Sequence, residues 1–476
     1  VTNGASRATA TGREHATGAG GGLGVLAALL VSGFGYGLAA VMVIPALGQI
    51  GGHYHLSGGS ASWALTINLL GGTVTTPIIA RLADRHGHRL VGVIIMAGLA
   101  VGSVVCILAP GYGAFLAGRF IQSLASAIFP IGFSILRATQ PPRRLGLGIG
   151  LLSAMTGLGG IGLPLSGILL DASGLAGMFV PAVVLGVVGA LALGVTGPRH
   201  ESSTGQVRMD WAGAGLLAVG LAAILLGIDR GPDWGWASAA VIALLAAGAA
   251  VLAGWVIVER RVAAPLVSMR VFTQRPVLMS NISAFFIGFG MYAAYVVIPE
   301  LVTTPASTGY GFGRSVAVSG LVLLPAMVLL PAGVQVAARV TARTGPRPVL
   351  IASVAVMIVS FAWPAVARHT LADLIGAGVL LGLAVGGAYA VLPTVIAQAV
   401  APADTGVATG INQIARAGGG AFGTAIAATL LASLAGPDGV PHDHAYTVVF
   451  TVLAIGTALA ILSALGLGPH RPCRCK

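Results

Sequence analysis

The chain has 476 residues, 56% of them hydrophobic and 8% charged, with a formal net charge of +12. Soluble domains carry about 25% charged residues, so a protein that must cover its surface in water is excluded and the bilayer is its solvent. The basic residues sit in short clusters between apolar runs, not in one patch or on one helix face, which speaks for membrane orientation and against nucleic acid.

Residues 1–21, rich in Gly, Ala, Thr and Arg, are expected to form a disordered N-terminus. The first apolar run, 22–50, is too long for a signal-peptide core and lacks a clear cleavage site, so it is expected to be a retained first helix. Thirteen further runs follow, at 61–82, 90–109, 112–136, 145–170, 175–196, 211–228, 237–258, 276–299, 315–338, 348–366, 371–399, 405–434 and 445–467. About 20 residues span the hydrocarbon layer as a helix, so these runs predict 14 transmembrane helices, antiparallel from one to the next because the connections are short. The 72 glycines fall largely inside apolar runs, where small residues let helices approach closely.

The connections alternate in charge. Arg81, Arg85, Arg89, Arg137, Arg143, Arg144, Arg260, Arg261, Arg270 and Arg275 all fall on one side, whereas the other holds only Arg230, Arg314 and Arg368. This bias predicts both termini in the cytoplasm. Three cysteines, one in an apolar run and two in the tail, do not make a disulfide framework.

The densest charged connection, Ala80 to Arg89, reads A-R-L-A-D-R-H-G-H-R. Asp84 ends one helix, where a carboxylate is placed to accept hydrogen bonds from backbone N–H groups at a neighbouring helix N-terminus. Gly87 permits a tight turn, and Arg85 and Arg89 face lipid head groups. Asp84, Arg85, Gly87 and Arg89 resemble the loop between helices 2 and 3 of the major facilitator superfamily, with Ala80 in place of its leading Gly and His88 in place of one Arg. The stretch Ala338 to Pro348, A-R-V-T-A-R-T-G-P-R-P, repeats the pattern without the acid.

The resemblance implies an all-α polytopic membrane protein of the major facilitator fold, two six-helix bundles plus two extra linking helices. It puts an N-terminal bundle at 22–196, a linker with the added helices at 197–274, a C-terminal bundle at 275–467 and a cytoplasmic tail at 468–476. The surroundings of the linker, M-D-W-A-G-A, P-D-W-G-W and E-R-R-V-A-A-P-L, are similar to those of the 14-helix drug:proton antiporter family.

Arg119 lies inside an apolar run with Gln122 on the same helix face. A buried Arg is costly in a membrane and faces a bundle interior or aqueous cavity. The pair resembles the superfamily's R-x-x-Q-G motif, which implies a link to proton exchange. The run G-L-G-G-I-G-L-P-L-S-G resembles the antiporter motif through Gly159, Pro164 and Gly167, with Leu163 and Ile168 where that family has glycine. The family often carries an Asp in helix 1; Gly37 stands at the matching place. Glu300, at the end of the ninth run, is therefore the expected proton carrier, through desolvation near a cavity mouth. Arg416 is a second buried charge whose partner the sequence does not name.

Phe34, Tyr36, Tyr292, Tyr295 and Tyr389, with Gln122, are candidates to line a cavity for bulky amphipathic or cationic ligands. His53, His55, His442 and His444 read as solvated loop residues, so no metal is expected, and no cofactor. No phosphate-binding loop of the G-x-x-x-x-G-K-[ST] type is present, so an ion gradient must supply energy. The expected function is proton-coupled export of amphipathic small molecules from a monomer in the inner or plasma membrane, by alternating access. A dedicated exporter of one metabolite is the alternative within transport. A receptor or structural membrane protein is the alternative outside it, and the histidines, all in loops, argue against a membrane enzyme.

Overall fold

A computed structural model describes residues 19–56, 61, 63–197, 210–262, 269–401, 404–436 and 440–467. The expected disordered N-terminus, except its last three residues, and the cytoplasmic tail lie outside the described residues. Residues 19–21 are helical.

The long helices are α1 (Gly22–Val41), α2 (Trp63–His86), α3 (His88–Leu108), α4 (Tyr112–Thr139), α5 (Arg144–Leu170) and α6 (Ala172–Thr196). After them come α7 (Trp211–Trp234), α8 (Ala239–Glu259), α9 (Arg275–Thr303), α10 (Val316–Thr344), α11 (Pro346–Val366), α12 (Leu371–Ala399), α13 (Thr405–Ser433) and α14 (Asp443–Gly466). Thirteen of these are long and apolar enough to cross a membrane, and α7 carries a shorter apolar stretch, Ala212–Ile228.

Two sets of six helices repeat one packing scheme. In the first, α1 packs on α5 and α6, α3 on α4 and α6, and α2 on α4; in the second, α9 packs on α13 and α14, α11 on α12 and α14, and α10 on α12. The halves meet where α5 lies against α10 and α12, and where α13 lies against α2 and α4. The repeated loop motifs turn the same way. Gly87 joins α2 to α3 at φ 95° and Gly345 joins α10 to α11 at φ 86°, a conformation that L side chains disfavour.

Helices α4 and α5 are each interrupted by a 3₁₀ turn, at Leu124–Ala127 and Gly159–Ile161. Such turns inside a long helix bend it locally. The added pair α7–α8 is not a detached linker. Helix α7 packs on both α2 and α13, so it covers the seam between the halves. Trp236 Nε1 donates to Thr429 Oγ1 at 2.8 Å, and Arg230 stacks on Trp63 at 4.9 Å.

Candidate functional site

At the α2–α3 turn, Asp84 Oδ1 lies 3.2 Å from Nε2 of His88, the first residue of α3. Its other oxygen is buried with no hydrogen-bond partner. The expected bonds from backbone N–H groups are therefore replaced by a side-chain contact, because His88 occupies the place where the motif carries another residue. Arg85 is exposed, as a head-group contact requires, whereas Arg89 donates to the carbonyl of Gly194 and ties α3 to α6.

The two halves are clasped on this same side of the molecule. Arg137, at the end of α4, donates to Thr405 Oγ1 and, at 3.0 Å, to the carbonyl of Val400. On the opposite side Arg368 bridges α11 to α14 through Asp443, at 2.6 Å.

Arg119 is completely buried. Its Nε donates to the Ala64 carbonyl at 2.9 Å, and its Nη1 to the Ala39 carbonyl at 2.9 Å and to Gln122 Oε1 at 2.6 Å. Gln122 in turn donates to Ser103 Oγ at 2.7 Å. The guanidinium thus joins α1, α2 and α4 through carbonyl dipoles, with no carboxylate among its described partners. Gln122, expected in the cavity lining, is fully engaged in this network instead.

Gly159 of α5 lies against the backbone of Gly37 and Leu38 in α1, so that any side-chain carbon on it would overlap them. A Cβ on Gly37 would stand 2.8 Å from the Met155 carbonyl oxygen. A carboxylate side chain does not fit at Gly37 without displacing α5. A Cβ on Gly320 of α10 would stand 3.0 Å from Pro164, so the two helices approach closely there. Gly167 has open space around it, so the close packing expected across the whole motif stops short of this residue.

Tyr36 of α1 packs edge-on against Phe129, and its hydroxyl lies near Gly72. Tyr36 also lies within electrostatic reach of Tyr292, across the division between the halves. Tyr292 packs on Tyr295 with ring centroids 6.3 Å apart. Arg416 lies over the ring of Tyr389 at 4.3 Å, and the Tyr389 hydroxyl donates to Met291 Sδ at 3.4 Å. Phe34 is partly buried between α1 and its neighbours. Glu300 is exposed at the end of α9, so the desolvation that was to make it a proton carrier is missing.

A family model described as Major Facilitator Superfamily matches residues 29–334 and 280–472. The chain belongs to the Major Facilitator Superfamily. It is 30% identical over 407 residues to the cephamycin export protein of Amycolatopsis lactamdurans, covering 82% of this chain and 80% of that one. It is 30% identical over 399 residues to the tetracenomycin C resistance and export protein of Streptomyces glaucescens, covering 80% and 71%. A multidrug transporter of Bacillus subtilis is 24% identical over 76% of this chain and 66% of its own. Among solved structures, the human organic anion transporter MFSD10 superposes with a TM-score of 0.64 at 16% identity, covering 93% of this chain and 99% of its own. That likeness shows the fold.

Within this Major Facilitator Superfamily member, several connecting residues escape a reading of the sequence. Asn68 Nδ2 donates to the Arg119 carbonyl at 3.1 Å, and Asn412 Nδ2 donates to Asn281 Oδ1 at 3.1 Å. The available signal was polarity alone: an Asn inside an apolar helix needs a partner. Neither the spacing nor the local motif names that partner.

Proposed function

We propose that this protein is a secondary active exporter of amphipathic, antibiotic-like small molecules, working by alternating access of its two bundles across the plasma membrane. The observation that carries this reading is the 30% identity to two antibiotic export proteins over about four-fifths of the chain. Tyr36, Tyr292, Tyr295 and Tyr389 would offer such cargo aromatic contact, which supports this reading. The halves are 22–196 and 275–467, with 197–274 between them. The basic α2–α3 side is cytoplasmic by the charge bias, and a proton gradient drives transport. The names of the two relatives also favour a dedicated exporter of one natural product over a broad-range pump.

The test is expression in an efflux-deficient bacterial host. Cells carrying the protein are expected to accumulate less of an exported compound and tolerate more of it than cells carrying an empty vector. Equal accumulation and tolerance across a panel of aromatic antibiotics would contradict export.

A further inference from the structure

Charge is distributed unevenly inside the two bundles. Among the described residues, every acid of α1–α6 and α9–α14 lies within about one helical turn of a helix end or in a connection: Asp84, Asp171, Glu300, Asp373, Asp404 and Asp443. The middle of the helices holds two buried cations, Arg119 and Arg416. They are not equivalent. Arg119 is saturated by carbonyl oxygens and Gln122. Arg416, 3% exposed, has the Tyr389 ring beneath it but no hydrogen-bond acceptor and no carboxylate among the described residues.

The groups described near Arg416 are neutral, so none of them balances its charge. The Tyr295 hydroxyl and Asn281 Nδ2 are both buried with no partner. Tyr295 packs on Tyr292 with ring centroids 6.3 Å apart, and Asn281 is held by Asn412, one turn before Arg416 on α13. A guanidinium presents a fixed fork of donors that matches a carboxylate. In low dielectric an unpaired cation is costly and is relieved by a counter-ion. Among the described residues none is supplied there.

Resting on the exporter reading, we propose that the cargo is an aromatic anion: its carboxylate is received by Arg416, and its ring lies against Tyr389, Tyr292 and Tyr295. The cargo completes a charge pair the protein leaves half-built. An ammonium in the same place meets a like charge.

The probes are an anthracene carboxylate, its neutral methyl ester and the aminomethyl anthracene cation, added to the purified full chain in detergent and followed by fluorescence. The parent is expected to bind the carboxylate at least about tenfold more tightly than the ester, the size of one charge-assisted hydrogen bond, and the cation weakest. Arg416→Gln is expected to abolish the difference between carboxylate and ester, while Arg416→Lys retains most of it. Tightest binding of the cation, failure of the parent to bind the carboxylate, or an undiminished carboxylate preference in Arg416→Gln overturns the proposal. The ester comparison on the parent alone decides the matter should the Gln variant not fold. Carboxylate preference in binding with no transport of any probe overturns export instead, and export of the cation without carboxylate preference overturns only the anion assignment.

Discussion

Gly37 and Gly159 bring α1 and α5 together backbone to backbone, at the 3₁₀ turn that interrupts α5. The contact explains two features at once: why an antiporter-like glycine motif persists in α5, and why helix 1 carries no acid. Close approach of small residues is how membrane helices gain packing energy without a hydrophobic driving force between them.

Restoring an acid to helix 1 should therefore damage the protein. Gly37→Asp forces a side chain against the Met155 carbonyl and should lower the thermal midpoint in detergent, with overpacking costing about 1–3 kcal/mol. Gly159→Val should do the same or worse. A Gly37→Asp protein with parental stability and parental transport would show that α1 and α5 are not held this closely.

Arg119 should not tolerate replacement by Lys. Its bonds run from Nε and Nη1 to two carbonyls on different helices and to Gln122, a geometry that a single ammonium cannot reproduce. Each buried acceptor left unpaired costs about 1–3 kcal/mol. Scanning fluorimetry of Arg119→Lys is expected to show a clear fall in thermal midpoint, and Gln122→Leu a smaller one. Parental midpoints in both would mean that the network contributes nothing to stability.

Arg137 should hold the α2–α3 side closed. Removing its bonds to Thr405 and Val400 in Arg137→Ala weakens a clasp between the halves, by about 1–3 kcal/mol. In a background with Cys106, Cys473 and Cys475 all replaced by Ser, a cysteine introduced at Thr394, which faces Gly146 across the seam, should then be labelled several-fold faster by a soluble thiol reagent. Unchanged labelling would place the closing force elsewhere.

Asp84→Asn should leave expression near the parental level and slow transport. Among the described residues the side chain pairs with His88 at the start of α3, so its loss is expected to affect the packed helices little, whereas in the alternating-access reading the turn lies where the halves would move. Transport at the parental rate would reduce the loop motif to an orientation signal.

Much of this architecture was legible because membrane solvent leaves few choices. Apolar runs had to be helices, and Gly87 and Gly345 had to be turns, since both sit between a helix end and a basic residue. Arg119 and Gln122 were readable as partners because they share one helix face. Contacts between distant helices were not readable. Nothing local to Gly37 points to Gly159, and nothing in the α7–α8 stretch shows that Trp236 reaches Thr429. The exposure of Glu300 was not legible for a related reason: position along a helix does not reveal exposure, which depends on the neighbours that pack around it. Gly167 failed similarly, since a motif glycine near a helix end can face open space.

The most direct test of an exporter driven by a proton gradient uses inside-out membrane vesicles, whose outer surface is the cytoplasmic face. With the lumen acidified, vesicles containing the protein are expected to concentrate an exported aromatic compound above the level of vesicles lacking it, and to release it when a protonophore collapses the gradient. Accumulation that ignores the protonophore, or that appears only in right-side-out vesicles under an inward proton gradient, would contradict the account.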